Sequence, residues 1–406
     1  MRAELASPWR ETLAGARAET VLRACVHCGM CNAVCPTYQL TGDERDGPRG
    51  RIYLIKQALE GGEATGLTRH HLDRCLTCRA CETACPSGVE YHRLVEVGRE
   101  ALSPGRGAPS RLARWLIRKL FLSPRRLELG LALVRGIRTV LPASLRSKIP
   151  PKVPDLPPPT SGPARGLSRR MTLLRGCVQA SVTPQTNQAA RKVFAAVGID
   201  LCETSGVGCC GALSAHLGAS EDARGLARRN LEAWAAELDA GAEAVVATAS
   251  GCAAFIRDYP DLLAGDTLAG PLIARVLPLL KDPVEVMEAS ELHLARAPAQ
   301  PRVAVHAPCT LRNGPGLGDA PARLLARLGF QPQPVAEAHL CCGSAGAYSL
   351  LQPKIAGELR ARKLAALKAS EPDQICTANV GCQLHLGGAS GMPVRHWLEA
   401  VAELLD

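Results

Sequence analysis

Eight of the eighteen cysteines fall in two copies of one spacing. The first copy is Cys25, Cys28, Cys31, Cys35 and Pro36; the second is Cys75, Cys78, Cys81, Cys85 and Pro86. Both read C-x2-C-x2-C-x3-C-P, a run suited to a pair of [4Fe–4S] cubanes. Three thiolates spaced this closely wrap three corners of one cubane. The fourth is carried away by the turn and reaches the other cluster. The pattern predicts one cluster on Cys25, Cys28, Cys31 and Cys85, and a second on Cys75, Cys78, Cys81 and Cys35. The proline after each run is expected to stop the local helix. Zinc is the competing chemistry, but its sites use two CxxC pairs separated by a longer loop. A disulfide framework fits less well. No apolar signal segment opens the chain, and a chain this long needs no staples. Reduced thiols in a cytoplasmic protein are the expectation.

The elements that must position the remaining cysteines repeat. Cys177 is followed by Cys209-Cys210-Gly211 and then by Gly251-Cys252. Cys309 is followed by Cys341-Cys342-Gly343 and then by Gly381-Cys382. The lone cysteine and the pair have 31 residues between them in both copies, and 41 or 39 separate the pair from the last cysteine. This is an internal duplication. Cys202 and Cys376 fall outside it and read as small core residues. Met171–Leu174 and Val303–Val305 are apolar runs that read as strands. Helical patterns follow over Pro184–Val197 and Ala320–Leu328, closed by Gly198 and Gly329. A short strand, the CCG turn and a long helix come next. Ala244–Ala247 and Gln374–Ile375 then lead to Cys252 and Cys382. Each copy is therefore β-α-β-α-β, which implies a parallel sheet. Every repeat cysteine lies beyond the carboxyl end of a strand, where open α/β sheets build their sites. Four converging thiols imply a redox or metal site in each copy; the alternative is that Gly-Cys pairs only pack tight turns.

At 406 residues the chain should hold two or three domains, and 47% hydrophobic content is enough for their cores. No apolar run is long enough to span a membrane. The net charge of +10 is unevenly placed. Residues 99–170 carry 16 Lys and Arg against Glu100, Glu128 and Asp155, a balance of +13 that leaves −3 for the rest. Arg111–Val140 shows helical periodicity interrupted by Pro124, and Leu141–Arg170 is Pro- and Gly-rich, as a linker is. The basic helices read either as a docking face for an anionic membrane or acidic partner, or as a solvated face. Arg111, Arg114, Arg118 and Lys119 are the charges expected on that face. Nucleic acid is disfavoured, because aromatics make up only 3% of the chain. No glycine-rich fingerprint for a flavin or nicotinamide stands after a strand. His27, His306, His339 and His385 lie near cysteines, where packing or support of a ligand is the expected role.

The repeat unit resembles the cysteine-rich CCG domain found in heterodisulfide reductases and in the iron–sulfur subunits of glycerol-3-phosphate and glycolate dehydrogenases. Across residues 5–400 the chain resembles the iron–sulfur subunits of bacterial glycolate oxidases. The stretches LRACVHCGMCNAVCPTYQLTGDERDGPRGRIYLIKQALEG, HLDRCLTCRACETACPSGVEYH and ANVGCQLH carry the likeness. It departs from the five-cysteine unit of heterodisulfide reductase, because Ala249 and Asn379 stand where that relative has another cysteine. The resemblance implies a helical two-cluster ferredoxin domain over 1–100 and basic helices with a linker over 101–170. Two α/β CCG repeats follow, over 171–298 and 299–406. It implies two [4Fe–4S] clusters on the motif cysteines. A further cluster or redox site is implied on Cys177, Cys209, Cys210 and Cys252, or on Cys309, Cys341, Cys342 and Cys382. It also implies an electron-transfer subunit with no catalytic residue of its own. Two partner flavin-domain subunits would carry FAD and oxidise glycolate. The acceptor would be a quinone, and the protein would be cytoplasmic or peripheral on the inner face of the membrane. The alternatives are a glycerol-3-phosphate dehydrogenase subunit and a thiol or quinone redox enzyme working on the repeats.

Overall fold

The computed structural model describes residues 1–63, 65–137, 149, 167–294 and 301–405. The described part of the first hundred residues contains helices and no strand. Helices Leu13–Ala24, Pro48–Leu59, Gly66–Asp73 and Tyr91–Ala101 bury Leu22, Ile55, Leu59, Leu72, Leu94 and Val95 against one another. Gly98 lets two of these helices touch: a Cβ there would lie 2.7 Å from Ile55 Cγ1. Each cysteine run contains one short helix, Met30–Ala33 or Ala80–Thr83. Pro36 does more than stop a helix, since it opens the next one, Pro36–Thr41, at a position where the missing N–H costs nothing.

The basic segment forms helices Ala108–Phe121 and Pro124–Gly136, broken where Pro124 predicts. Its charges are less free than their spacing implies. Arg114 is buried and pairs with Asp73 at 3.0 Å, beside Arg106 at 2.6 Å. Arg118 pairs with Asp222. Arg111 and Lys119 remain exposed. Most of the expected linker lies outside the described residues, and its last two residues, Arg169 and Arg170, already belong to a strand.

Each repeat is a four-stranded, all-parallel sheet. The first holds β1 (Arg169–Leu173), β2 (Ile199–Glu203), β3 (Val245–Val246) and β4 (Leu280–Lys281) in the order β2-β1-β3-β4. The second holds β5 (Arg302–His306), β6 (Gln331–Gln333), β7 (Gln374–Thr377) and β8 (Val394–His396) in the order β6-β5-β7-β8. The edge strands β4 and β8 add to the three expected per copy. In both sheets the winding reverses beside the first strand, and this switch point opens a crevice at the carboxyl edge. The repeats share a core. Phe194 and Val193 of helix Pro184–Ala195 lie in one apolar cluster with Leu324, Trp397 and Val401 of the second repeat. Cys376 is fully buried in that core. Cys202 is not a core residue: it is half-buried on β2 and accepts a hydrogen bond from Arg170 Nε at 3.3 Å.

Gly343 turns the CCG loop of the second repeat with φ +89°, and a Cβ there would lie 2.8 Å from the Ala356 carbonyl oxygen. Gly343→Ala combines a left-handed backbone with a clash against main chain, and should cost at least about 2 kcal/mol. Scanning calorimetry should show a lowered melting temperature. Gly270→Ala, whose Cβ would meet open space, should leave it unchanged.

Candidate metal centres

The two cysteine runs fold alike. The second residue after the first cysteine is left-handed in both (His27 φ 57°, Thr77 φ 53°), as is the residue after the second cysteine (Gly29 φ 83°, Arg79 φ 61°). Three of these are not glycine, and such conformations persist where the surroundings over-determine them. Alternating backbone hands wrap the chain around a concave space lined by N–H groups. One cavity is lined by Cys25, Cys28, Cys31 and Cys85. The other is lined by Cys75, Cys78, Cys81 and, from the first run, Cys35. Cys35 and Cys85 thus each line the cavity that the other run encloses. Pro48, Cys81 and Tyr91 line both cavities, so the two share a wall.

A buried polar network fixes the second cavity. Arg51 donates to the His71 carbonyl at 2.8 Å and to Thr37 Oγ1 at 3.1 Å. Asp46, fully buried, pairs with His71 Nδ1 at 2.8 Å and Arg74 at 2.6 Å. Thr37 Oγ1 donates to the Asp46 carbonyl at 2.7 Å and lies 3.3 Å from Cys35 Sγ. Arg99 donates to the Cys75 carbonyl at 2.7 Å, and Tyr91 donates its hydroxyl to Cys75 Sγ at 3.7 Å. Burial opposes ionisation of Cys75, but the nearby Arg51 and Arg99 outweigh it and lower the thiol. Burial raises Cys78 and Cys81, and pushes Cys31 up to about 11. Thiols so raised ionise readily only when a metal takes the charge. Converging sulfurs, wrapped loops and nearby cations fit an iron–sulfur cluster in each cavity.

The repeat cysteines also converge, at the switch-point crevices. Cys177 and Cys209 Sγ are 3.3 Å apart; Cys309 and Cys341 are 3.9 Å apart, and Cys342 and Cys382 are 3.4 Å apart. The amides of Gly211 and Gly343 donate to Cys209 and Cys341 at 3.4 and 3.5 Å. Burial and the neighbouring sulfurs push Cys210, Cys341 and Cys342 well up. The two sites differ in their surroundings. Cys177, Cys209, Cys210 and Cys252 sit among Leu174, Phe255 and Tyr259. In the second repeat, Cys309 and Cys341 share an apolar cluster with Cys78 and Leu76 of the second cavity, and with Tyr348. Asn313 donates to the Cys78 carbonyl at 2.7 Å, and Tyr348 donates to the Arg74 carbonyl at 3.0 Å. The second repeat therefore abuts the second cavity.

The four histidines separate. His27 lines the first cavity, His339 is exposed, and His385 Nε2 lies 3.1 Å from the Ala356 carbonyl. His306, expected only to pack or support, is 2% exposed and lies with Cys342 and Cys382, its nearest ring nitrogen and their sulfurs all within 4.8 Å of one another. Neither of its ring nitrogens has a hydrogen-bond partner. Burial drives its pKa down to about 3, so the ring is neutral.

The 4Fe-4S dicluster domain family matches residues 21–89, and the cysteine-rich domain family matches residues 171–257 and 303–387. The glycolate oxidase iron-sulfur subunit of Escherichia coli (strain K12) is 43% identical over 408 residues, covering 100% of both chains. This chain belongs to the glycolate oxidase iron–sulfur subunit family. The probable glycolate oxidase iron-sulfur subunit of Bacillus subtilis (strain 168) is 32% identical over 91% of this chain and 89% of that one. Lactate utilization protein A of an Exiguobacterium species is 26% identical over 57% of this chain and 94% of its own. This chain is an iron–sulfur subunit of an oxidoreductase complex.

The exchange of fourth cysteines that the spacing predicts has a direct consequence. Cys35→Ser removes a sulfur from the second cavity, not from the one its own run encloses. After anaerobic reconstitution, EPR should show the second cluster lost or converted and the first intact. The mirror result should follow for Cys85→Ser. Damage confined to the run that carries the substitution would contradict the exchange.

Proposed function

We propose that this chain is the electron-transfer subunit of a flavin-dependent glycolate dehydrogenase. In this reading Cys25, Cys28, Cys31 and Cys85 hold one [4Fe–4S] cluster, and Cys35, Cys75, Cys78 and Cys81 hold the other. The observation that carries it is the pair of four-thiol cavities sharing a wall at Tyr91, the second pressed against the thiols of the second repeat. Glycolate gives up two electrons together on partner flavin-domain subunits, two in number, which carry the FAD. Bound in these cavities, cubanes would accept and pass electrons one at a time. The residues of this chain hold the sulfurs at fixed positions and place Arg51 and Arg99 beside Cys75. A quinone-type acceptor takes the electrons onward. The substrate site belongs to the partners.

The test is reconstitution. The full chain, combined anaerobically with its flavin subunits, should reduce a quinone analogue with glycolate. Cys78→Ser should cut that rate at least about tenfold while leaving flavin reduction by glycolate intact. Glycerol 3-phosphate and lactate serve as competing substrates. Faster turnover with either would reassign the partner, and glycolate oxidation by this chain alone would reject the reading.

The same reading places the protein on the inner face of the cytoplasmic membrane. Leu112, Trp115 and Leu116 stand exposed on helix Ala108–Phe121, with Leu129, Leu133, Val134 and Ile137 beside them at the next helix. Leu133 is 75% exposed. Arg111, Lys119, Arg125 and Arg126 are exposed on the same hairpin. Apolar side chains with a basic border suit an anionic bilayer surface. Among the described residues no helix is long and apolar enough to cross a membrane. Leu116→Glu with Leu133→Glu should abolish co-sedimentation with phosphatidylglycerol vesicles. Arg111→Gln with Lys119→Gln should weaken it by up to about 1 kcal/mol per charge, less in high salt. Equal sedimentation of all variants would leave the hairpin as a brace.

A further inference from the structure

The duplicated sites have diverged in one direction. In the first repeat Leu174 follows β1, three residues before Cys177, and packs with Cys209 and Cys210. Three residues before Cys309 the second repeat has His306, at the end of β5. Three residues before Cys252 stands Ala249; three before Cys382 stands Asn379, whose Nδ2 donates to Cys382 Sγ at 3.5 Å. Ala223 and Ala356 present their carbonyls to Gly211 and Gly343, and the seventh residue beyond each is Asn230 or Lys363. Lys363 is buried and donates to the Glu337 carbonyl at 2.8 Å. At these three positions the second site carries imidazole, amide and ammonium where the first carries leucine, alanine and a neutral amide.

A buried imidazole with both nitrogens unpartnered is costly, since each polar atom forfeits its bond to water. A metal ion removes that cost by taking the lone pair of one nitrogen. The geometry suits one. A tetrahedral ion with metal–sulfur bonds of about 2.3 Å separates its ligand sulfurs by about 3.8 Å. Cys342 and Cys382 Sγ stand 3.4 Å apart, with His306 completing a group within 4.8 Å. The described residues offer one other such group, Asp43, Asp46 and His71, and there Asp46 is already taken by Arg74.

We propose that His306, Cys342 and Cys382 jointly ligate a thiophilic metal in the second repeat, iron or zinc, and that the first repeat, with Leu174 in place of the imidazole, does not form this site. Cys341, adjacent to Cys342 in the chain, is the candidate fourth ligand. Asn379 steadies the Cys382 sulfur, and Lys363 offsets the charge of the gathered thiolates. If the metal is iron, the neutral imidazole in place of a thiolate raises its potential relative to an all-cysteine site, as histidine ligation does in two-iron clusters. An acceptor beyond the second cavity, where Cys309 and Cys341 abut Cys78, is a suitable place for such a centre.

The test needs neither substrate nor flavin partner, so it stands or falls apart from the proposed reaction. Full chain, isolated anaerobically after growth with iron or with zinc, is assayed for metal and sulfide. The wild type should hold metal beyond the about eight irons of the two cubanes. His306→Leu installs the residue the first repeat uses there, and should lose that extra metal while both cubane EPR signals persist. His306→Cys should keep the metal and lose the imidazole nitrogen coupling in pulsed EPR of the iron form, or the nitrogen scatterer in zinc X-ray absorption. Leu174→His tests the converse by adding a nitrogen to the first repeat. The cubane signals report folding in every variant, and Cys382→Ser supplies a second route to the same loss. Wild-type metal no higher than the cubanes require, or His306→Leu with metal content unchanged, overturns the proposal.

Discussion

The structure depends on gathering thiols where burial opposes their ionisation. Sixteen of the eighteen cysteines lie in four groups; three of the four in each repeat, and Cys78 and Cys81 in the second cavity, are pushed upward by one another and by burial. Left alone, such a group stays protonated and inert. The chain counters this with fixed positive and donor groups. Arg51 and Arg99 face Cys75, backbone amides of Gly211 and Gly343 face Cys209 and Cys341, and Lys363 lies near Cys341 and Cys342. These groups orient the sulfurs; the bound metal must supply the remaining charge. Stability and metal content are therefore linked, since a metal bound only by the folded state contributes its binding energy to folding.

The same constraint explains the strained loops and the shared walls. Four sulfurs reach one space only if the chain reverses hand between them, which accounts for His27, Thr77 and Arg79 at positive φ. Bringing Cys35 to the partner cavity requires its loop to be held from behind. The Thr37–Asp46–Arg51–His71 network does that, with Thr37 and Arg51 also lining the cavity. A buried ion network is a weak source of net stability, because desolvation offsets its attraction. Here it serves position: Asp46 ties the first run to Arg74, which immediately precedes the second.

Much of this was legible because cysteine spacing encodes local wrapping directly. The two cysteine runs, the duplication and the parallel sheets follow from short-range patterns. What escaped depends on contacts distant in sequence. The edge strands Leu280–Lys281 and Val394–His396 are too short to show a period. Arg114 and Arg118 looked like free surface charges because helical spacing says nothing of Asp73 and Asp222. The common core of the repeats joins Phe194 to Trp397, and no local signal announces it. Cys202 looked apolar from its strand yet faces Arg170. His306 reads as one polar residue at a strand end, and only its depth and its two thiol neighbours reveal a ligand.

The two repeats also differ in what they touch. The second touches the second cavity through Tyr348, Asn313 and the Cys78–Cys309–Cys341 cluster. The first touches the basic hairpin: Leu122 packs against the cluster that holds Cys177, and Ser181 donates to the Pro124 carbonyl at 3.2 Å. The second repeat's site carries imidazole, amide and ammonium at His306, Asn379 and Lys363, where Leu174, Ala249 and Asn230 stand in the first. Both repeats thus bear on the second cavity, the first through Asp258 on Arg79 and the second through Asn313 on Cys78, and they are joined through the core that Phe194 and Trp397 share.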